Sequence, residues 1–291
     1  MIRIIVLGDL NLDIHARLPH VLPPGDEVRD AITVRPGGSA GTFARTASQC
    51  GASVIFLGAV GQDLVGDLLE NSLIRANVIP RLRRTNLASG AVLAIEKDGD
   101  RSMVCARGAN DGLTEDWVDE TLPRDGTHLH VSGYALLSDA QRQAALHAFA
   151  LAACQGMSLS LDPPPASLLQ AFGAKRYLGL LPPELWLFPN RSEGRLLSGM
   201  NRDEAVVGSL SGRFPVGACT LGADGAYAWD PTTRHLQTTA SLPPVDTTGA
   251  GDVYAATFIT DYLQYGDLSQ ANIKACAAAF AMLERRLSPD A

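Results

Sequence analysis

Short apolar runs that alternate with segments of helical spacing constrain this chain more than any other feature. Residues 2–7 form a nearly continuous apolar run that stops at Gly8, and SVIFLGAVG (53–61) forms a second. Such runs are typical of central strands in a parallel sheet, which are buried on both faces. Four more runs are predicted as strands: THLHVSGY (127–134), MSLSLDP (157–163), LWLFPN (185–190) and VGACTLG (216–222). Helical spacing between several of them, as in residues 139–154, predicts βαβ units and a doubly wound parallel sheet.

Further helices are predicted by the same spacing. Residues 39–51 and DLVGDLLENSLIRANV (63–78) each predict a helix, and the first of these stops at Gly51. The end of the chain predicts two long helices, in TGAGDVYAATFITDYLQYG and in the Ala-rich LSQANIKACAAAFAMLERRL. Arg285 and Arg286 suit the last turn of a helix, where the dipole favours positive charge.

Two regions interrupt this rhythm. Residues 14–36 are rich in proline, and their short alternating pieces predict edge strands or a flap. GAVLAIEKDGDRSMVCARGAN (90–110) predicts a hairpin that turns at Asp98-Gly99, a favoured pair for tight hairpins. We expect regions of about 12–36 and 90–107 to form one small β-lid on a single domain that spans residues 1–291.

Composition excludes several classes of partner. The chain has 291 residues and a formal net charge of −7, so the basic face that nucleic acids need is not expected. Its five cysteines are odd in number and form no C-x-x-C, which favours reduced thiols over disulfides or zinc ligands. The first apolar run is too short for a signal-sequence core, and no uncharged run reaches the roughly 18 residues of a membrane span. We expect a cytoplasmic protein with neither a membrane nor a nucleic-acid partner.

The stretch GGSAG (37–41) supports two interpretations. It fits G-x-S-x-G, the strained turn that presents the serine of an α/β-hydrolase. It also fits a glycine turn that lets the backbone come close to a ligand. Pro36 is expected to break the preceding strand, and Asp162 and His235 have the chain order of a triad but no matching context. We therefore favour the glycine turn and keep the hydrolase with Ser39 as an alternative.

The stretch VDTTGAGDVYAATF (245–258) carries the sharpest chemistry. A glycine-rich turn that runs into a helix presents N–H groups, and the helix dipole favours a phosphate there. Asp252, at the helix start, could accept the proton of an attacking hydroxyl. A tight turn followed by a helix that begins near Asp is equally supported by these residues alone. The sequence contains no P-loop, protein-kinase or Rossmann signature, which excludes those nucleotide-binding classes.

Together, these motifs resemble the ribokinase-like (PfkB) carbohydrate kinases. Five stretches carry the resemblance, in the order of the family: GDLNLD (8–13), RPGGSAGTFARTASQCGASVIFLGAVGQDLVGDLL (35–69), FPNRSEGRLL (188–197), TLGADGAY (220–227) and DTTGAGDVYAATF (246–258). The resemblance runs from about residue 4 to residue 265. It implies a three-layer α/β/α sandwich with a mostly parallel central sheet and a small β-lid.

The resemblance also implies roles for individual residues. Asp252 would be the catalytic base, and the N–H groups of Gly249, Ala250 and Gly251 would form an anion hole. The implied substrate-binding residues are Asn11, Asp13, Gly37, Gly38, Thr42 and Arg107. The implied nucleotide-binding residues are Asn190, Glu193, Thr220, Gly222 and Gly225. Glu193 would help to place Mg²⁺ through water.

Local alternatives stay open at several of these positions. Asn190 and Glu193 have the spacing of a helix capping box, and the segment 220–225 fits a plain strand–turn–strand. Arg107 is equally suited to contacting a substrate and to bracing the lid. The histidines, including His128 and His130, form no ligand pattern and are expected in the core or at the surface.

The sequence departs from the family pattern at three places. Thr42 stands where the family commonly has Asn, and Pro164 and Pro165 follow Asp162-Pro163 where Asn is common. The Ala-rich helix is followed only by a few residues, whereas family chains continue into a loop near the adenine and, in many members, a monovalent cation. A monovalent cation is therefore left open, with no residue assigned to it.

The implied activity depends on ATP and Mg²⁺ and phosphorylates a hydroxymethyl group of a small sugar, which is ribose-, fructose- or sugar-acid-like. A nucleoside kinase of the same family and a non-catalytic sugar-binding sensor with a kinase-like fold are the alternatives. An acidic sugar would require an arginine in the pocket, for which the sequence offers Arg107. A homodimer through the lid is expected, as in many family members.

Overall fold

Two β-sheets and the helices around them make up the part of the chain that the computed structural model describes, residues 2–18, 25, 27–28, 32–97, 100–243 and 245–287. The strands are β1 (Arg3–Leu7), β2 (Asn11–Arg17), β3 (Ile32–Gly37), β4 (Ser53–Gly61), β5 (Val78–Thr85), β6 (Gly90–Lys97), β7 (Asp100–Ala106), β8 (His128–Ser132), β9 (Ser158–Asp162), β10 (Leu185–Leu187), β11 (Gly217–Thr220), β12 (Ala226–Trp229) and β13 (Arg234–Gln237). The helices are α1 (Ser39–Gln49), α2 (Leu64–Arg75), α3 (Glu115–Thr121), α4 (Asp139–Cys154), α5 (Ala166–Phe172), α6 (Ala174–Leu178), α7 (Arg191–Ser198), α8 (Asp203–Ser211), α9 (Ala250–Tyr265) and α10 (Leu268–Arg286).

The larger sheet lies at the centre of the molecule. Within the described residues it has nine strands in the order β13–β12–β11–β10–β9–β8–β1–β4–β5. Strands β11 to β5 in this order are parallel, and β12 and β13 add antiparallel strands at one edge. The predicted mostly parallel sheet is confirmed. Because the order reverses around β1, the carboxyl ends of β1 and its neighbours form the crevice where ligands bind in such sheets.

Helices cover both faces of this sheet. Ile4 and Val6 of β1 pack into one core with α1, α9 and α10, whereas Ile5 and Leu7 pack into a second core with α4. All four side chains are fully buried, which explains why the run shows no polar alternation. The result is the predicted three-layer α/β/α sandwich. Among the described residues, no helix combines the length and apolar character needed to cross a membrane.

A separate four-stranded sheet has the order β3–β2–β6–β7. Strand β2 pairs antiparallel with β3 and parallel with β6, and β6 and β7 form an antiparallel hairpin. The predicted hairpin turn at Asp98-Gly99 lies outside the described residues. One expectation is wrong: Pro36 does not break the strand but lies inside β3, opposite Leu12. Strand β3 is an edge strand of this sheet among the described residues, and proline within sheets is found mainly on edge strands.

Two other differences concern the edges of the central sheet. The helix predicted over 63–78 ends at Arg75, because Asn77 adopts a positive φ of 57° and Val78 begins β5. The sequence does not predict β5 or β13. Both are edge strands that carry several polar side chains, so they lack the apolar pattern of a buried strand.

Two buried histidines form a polar cluster inside the sandwich. His128 Nδ1 and Nε2 each lie 2.7 Å from a serine Oγ, of Ser158 and Ser160 respectively, and His130 Nδ1 lies 2.8 Å from Ser160 Oγ. The His130 ring stacks on Phe43 at a centroid distance of 3.6 Å. Burial lowers the pKa of His128 to about 3 and that of His130 well below its usual value. Both rings are therefore neutral core residues.

We predict that these rings make the protein sensitive to mild acid. The folded chain keeps both rings neutral, whereas the unfolded chain protonates them below about pH 6.5. The free energy of unfolding should therefore fall below that pH, by up to about 1.4 kcal/mol per pH unit for each ring. His130→Leu should flatten this dependence between pH 7 and pH 5 in urea unfolding. His147→Asn, which changes a histidine paired with Asp119 near the surface, is the control; equal slopes for His130→Leu and wild type would contradict the prediction.

Candidate active site

A cavity of about 850 Å³ contains the predicted site residues. Its wall is formed by residues at the carboxyl ends of central strands, by one face of the small sheet and by the start of α9. A volume of this size suits a small-molecule ligand. All predicted site residues line it: Asn11, Asp13, Gly37, Gly38, Thr42, Arg107, Asn190, Glu193, Thr220, Gly222, Gly225, Gly249, Ala250, Gly251 and Asp252.

Two glycines allow close contact between the end of β1 and the start of α1. A Cβ on Gly8 would lie 2.7 Å from Ala40 Cβ and 2.8 Å from Ser132 Cβ. Gly38 has a φ of 85°, and a Cβ there would lie 2.6 Å from the carbonyl oxygen of Asp9. These glycines let the start of α1 pack directly on the end of β1, so Gly38 is required first by contacts inside the protein. A side chain on Gly37 would likewise clash with the Asp13 carboxylate.

This packing brings Asp9, Ser39 and Asp252 together. Asp9 follows β1, and its Oδ2 accepts a hydrogen bond from Ser39 N at 3.2 Å, while its Oδ1 accepts one from Ser132 Oγ at 2.9 Å. Ser39 Oγ in turn donates to Asp252 Oδ1 at 2.7 Å. Asp252 is the third residue of α9 and is buried. A continuous polar chain therefore runs from the end of β8 to the start of α9.

Asp252 also hydrogen-bonds the carboxyl group of Asp162, the last residue of β9. Burial raises the pKa of Asp252 to about 7; the Ser39 hydrogen bond lowers it in part, and the Asp9 charge raises it further. Burial raises the pKa of Asp162 well above its usual range, and the charges of Asp252 and Glu193 add to the shift. Two bonded carboxyl groups share a proton, so Asp162 and Asp252 titrate as a pair rather than as two separate groups.

Glu193 lies on the cavity wall at the start of α7. It forms a capping box with Asn190: Asn190 Oδ1 accepts from Glu193 N at 3.0 Å, and Glu193 Oε2 accepts from Asn190 N at 2.8 Å. Burial raises the pKa of Glu193 to about 8, although the bonds from Asn190 oppose the shift. The capping interpretation is therefore correct locally. It does not compete with a role in the cavity, because the box fixes the carboxylate at the wall.

The turn before α9 contains the three residues of the predicted anion hole. Gly249 adopts a left-handed φ of 79° and caps the helix, which begins at Ala250. Ala250 N donates to Thr247 O at 3.1 Å, so this N–H is already used inside the turn. The N–H of Gly251 has no acceptor within the helix, since first-turn groups lack a preceding carbonyl. The anion hole of Gly249, Ala250 and Gly251 stays a prediction, and in this structure the N–H of Ala250 is bonded within the turn.

Asn11 and Arg107 are held by neighbours on the small-sheet side of the cavity. Asn11 Nδ2 donates to Asp9 Oδ2 at 3.1 Å, and Asn11 Oδ1 accepts from Asn110 Nδ2 at 2.8 Å. Arg107 Nε donates to Asp111 Oδ1 at 2.7 Å, and its guanidinium also bonds Gln141. Arg107 thus both lines the cavity and braces the segment that follows β7.

Thr42 lies between the small sheet and the turn before α9. A Cβ on Gly249 would lie 3.4 Å from Thr42 Cγ2, and Thr42 Oγ1 accepts a hydrogen bond from Arg45 Nη2 at 3.3 Å. Arg45 Nη1 is buried and has no hydrogen-bond partner among the residues that the structure describes. Burial lowers the pKa of Arg45, while the charges of Asp13 and Asp252 oppose this shift. The half-buried guanidinium of Arg45 therefore lies directly behind Thr42.

Sequence reasoning missed several residues of this site. Asp9 and Asp162 follow or end predicted strands, and polar residues at such ends would have been a usable signal. The sequence suggested Ser39 only as the nucleophile of a hydrolase. The hydrolase triad is not assembled, because Asp162 bonds Asp252, and His235 contacts Asn272 and is not one of the residues that line the cavity. Arg35 and Tyr134 also line the cavity and carry no sequence signal.

Comparisons with known proteins agree with this geometry. The profile of the pfkB family carbohydrate kinases matches residues 1–288. An ATP-dependent ribose-1-phosphate kinase from Halopiger xanaduensis is 29% identical over 97% of this chain and 92% of its own length. A ribokinase from Haemophilus influenzae is 25% identical over 91% and 87%. The structure of a putative ribokinase II from E. coli in complex with ATP and Mg²⁺ superposes with a TM-score of 0.85 at 23% identity, covering 98% of this chain and 94% of that one. The fold, the cavity and the profile together make this chain a member of the pfkB family of carbohydrate kinases.

Proposed function

We propose that this kinase transfers the γ-phosphoryl group of ATP to a hydroxymethyl group of a small sugar in the presence of Mg²⁺. The observation that carries the proposal is the position of Asp252, a buried carboxylate at the start of α9 in the same cavity as Asn11 and Asp13. A base beside a helix N-terminus can take the proton of a hydroxyl while the helix end holds the phosphate. The kinase relatives support this chemistry and give no support to the sensor hypothesis.

Asp252 acts as the general base in this proposal. Its pKa near 7 suits proton transfer at neutral pH. Ser39 occupies Oδ1, whereas Oδ2 lies 3.6 Å from the place that a Cβ would take on Gly249. Oδ2 therefore faces the phosphate turn and is the oxygen that accepts the proton. The proton that Asp252 and Asp162 share limits the negative charge beside the phosphate.

The turn 249–251 holds the transferred phosphate. Phosphoryl transfer depends mostly on positioning and on charge neutralisation, which the N–H of Gly251 and the dipole of α9 provide. Thr220, Gly222 and Gly225, in the same cavity wall, would contact the nucleotide, as would Cys276 of α10. No monovalent cation is assigned.

Mg²⁺ fits the acidic wall near Glu193. Bound Mg²⁺ would neutralise phosphate oxygens, and Glu193 would hold one of its waters, since both carboxylate oxygens already accept bonds from Asn190. Contact through water agrees with the tendency of Mg²⁺ to keep much of its hydration shell. No group of three or more His, Cys, Asp or Glu side chains in the described chain could hold an ion directly.

An anionic sugar is the second candidate substrate. Besides the predicted Arg107, Arg35 and Arg286 line the cavity. Guanidinium groups recognise phosphate and carboxylate well. The similarity to a ribose-1-phosphate kinase supports the same candidate. A nucleoside acceptor remains the third.

We further propose that the four-stranded sheet is a lid and that its outer face joins two copies of the chain. Asp13, Val92 and Cys105 of this sheet line the cavity. Their neighbours in the strands face outward, and Val34, Ile14, Leu93 and Val104 are in register across the sheet. Val34 is 56%, Leu93 38% and Val104 67% exposed. A row of apolar residues on a sheet face suits a self-complementary two-fold contact.

A panel of acceptors tests the activity. ATP consumption is measured with ribose, fructose, a 2-keto sugar acid, ribose 1-phosphate and adenosine. Asp252→Asn should lower kcat by about 10²–10⁴-fold with the preferred acceptor while MgATP still binds. Asp116→Asn, at an exposed aspartate, is the matched control. Sugar binding without turnover of any acceptor by the wild type would contradict the proposal.

Ser39→Ala tests the orientation and pKa of the base. The variant loses the hydrogen bond that lowers the pKa of Asp252, so the acid limb of kcat/KM should move to higher pH by about one unit. Ser39→Thr keeps the hydroxyl and should keep the wild-type profile. A Ser39→Ala profile that matches wild type would rule out this role for Ser39.

Val104→Lys tests the dimer. A lysine in the centre of the exposed row would be buried without a partner on association, so the variant should be monomeric by analytical ultracentrifugation while the wild type sediments as a dimer. Leu236→Lys, at an exposed apolar residue of β13, should leave the dimer intact. A wild-type monomer at all concentrations would refute the proposed contact.

A further inference from the structure

The last two helices bring the end of α10 to the start of α9. Helix α9 has 16 residues and α10 has 19, and only Gly266 and Asp267 separate them. The helices pack against each other in a tight hairpin, so they run antiparallel. At 1.5 Å per residue they span about 24 and about 28 Å. The last turn of α10 therefore reaches the turn that precedes α9.

Arg286, the final residue of α10, fastens this turn. Its Nη1 donates to the carbonyl oxygen of Asp246 at 2.6 Å and lies 3.3 Å from Asp246 Oδ2. Asp246 lies three residues before Gly249. One guanidinium thus grips both the backbone and the side chain of a single residue in the turn, and such charge-assisted contacts are among the stronger hydrogen bonds.

The Asp246 carboxylate also contacts two other parts of the protein. Its Oδ1 accepts from Thr248 N at 3.0 Å, which closes the turn next to Gly249. Its Oδ2 also lies 3.4 Å from Arg35 Nη2, on the edge strand β3 of the small sheet. One carboxylate therefore joins the last helix, the phosphate turn and the sheet that carries Asp13.

The surroundings favour a real contribution from this cluster. The Arg286 and Asp246 side chains are each only 22% exposed, so water screens the pair less than it would an open surface pair. Arg286 also meets the negative end of the α10 dipole. The Arg35 contact is longer and its side chain is 42% exposed, so we assign it the smaller share.

We infer that Arg286 is a positioning residue for the phosphate turn, and that Arg35 links the same turn to the small sheet through Asp246. This role rests on the proposed function, because the turn matters to catalysis only if it holds a phosphate. Arg286 does not need to touch the reacting atoms: it fixes the loop from which α9 begins.

The test compares full-length Arg286→Ala, Arg286→Lys and Arg35→Ala with wild type. Amide hydrogen exchange across residues 246–252 reports on the turn without any ligand, and calorimetry gives the affinity for MgATP. In Arg286→Ala, the amides of residues 246–252 should exchange about tenfold faster than in wild type. The same variant should bind MgATP about tenfold more weakly. Arg286→Lys should recover part of both effects, and Arg35→Ala should change both by about threefold. Arg285→Ala, at the exposed neighbouring residue, is the matched control.

The outcomes separate the inference from the proposed function. Unchanged exchange across 246–252 in Arg286→Ala overturns the inference, as does unchanged MgATP affinity despite faster exchange. Recovery of MgATP affinity in Arg286→Ala on addition of low concentrations of guanidinium would support it strongly. If Arg286→Ala exchanges faster but the wild type binds no MgATP, the result would support the role of Arg286 in holding the turn and contradict the proposed function.

Discussion

The approach of α1 to the end of β1 is the constraint on which the site depends. Gly8 and Gly38 remove the side chains that would keep the two elements apart. Without this contact Ser39 N could not reach Asp9, and Ser39 Oγ could not reach Asp252, a residue 213 positions later. The GGSAG stretch thus serves neither a hydrolytic nucleophile nor only a ligand. Its serine lies beside the proposed base and donates to it.

Burial shifts the pKa values of the carboxyl groups around the cavity. Asp9, Asp162, Glu193 and Asp252 are carboxyl groups around one cavity, and burial, followed by their mutual repulsion, raises the pKa values of the last three. Hydrogen bonds from Ser39 and Asn190 and the charge of Arg45 oppose the shifts. The balance leaves Asp252 with a pKa near 7 within a pair of carboxyl groups that titrate together, which suits its proposed role as the base.

Sequence patterns predicted those parts of the molecule that local rules govern. The buried runs of β1 and β4, the helices α4, α9 and α10, and the residues of the signature motifs all lie where the patterns indicate. Edge strands β5 and β13 escaped because polar side chains interrupt their pattern. The Ser39–Asp252 bond, the Asp162–Asp252 pair and the Arg286–Asp246 clamp join residues distant in the chain, and such contacts leave no local signal. Pro36 was misjudged because edge position, rather than propensity, decides whether a strand tolerates proline.

Thr42 is a residue at which we expect substrate choice to be decided. Its short side chain lies beside Gly249, and the half-buried guanidinium of Arg45 donates to its hydroxyl from behind the cavity wall. The proposed role of Asp252 as the base can be tested without a substrate. Carbon-13 NMR of aspartate carboxyl groups should find one that titrates near pH 7 and is missing from Asp252→Asn. An Asp252 signal that titrates at an ordinary value of about 3.9 would contradict the account.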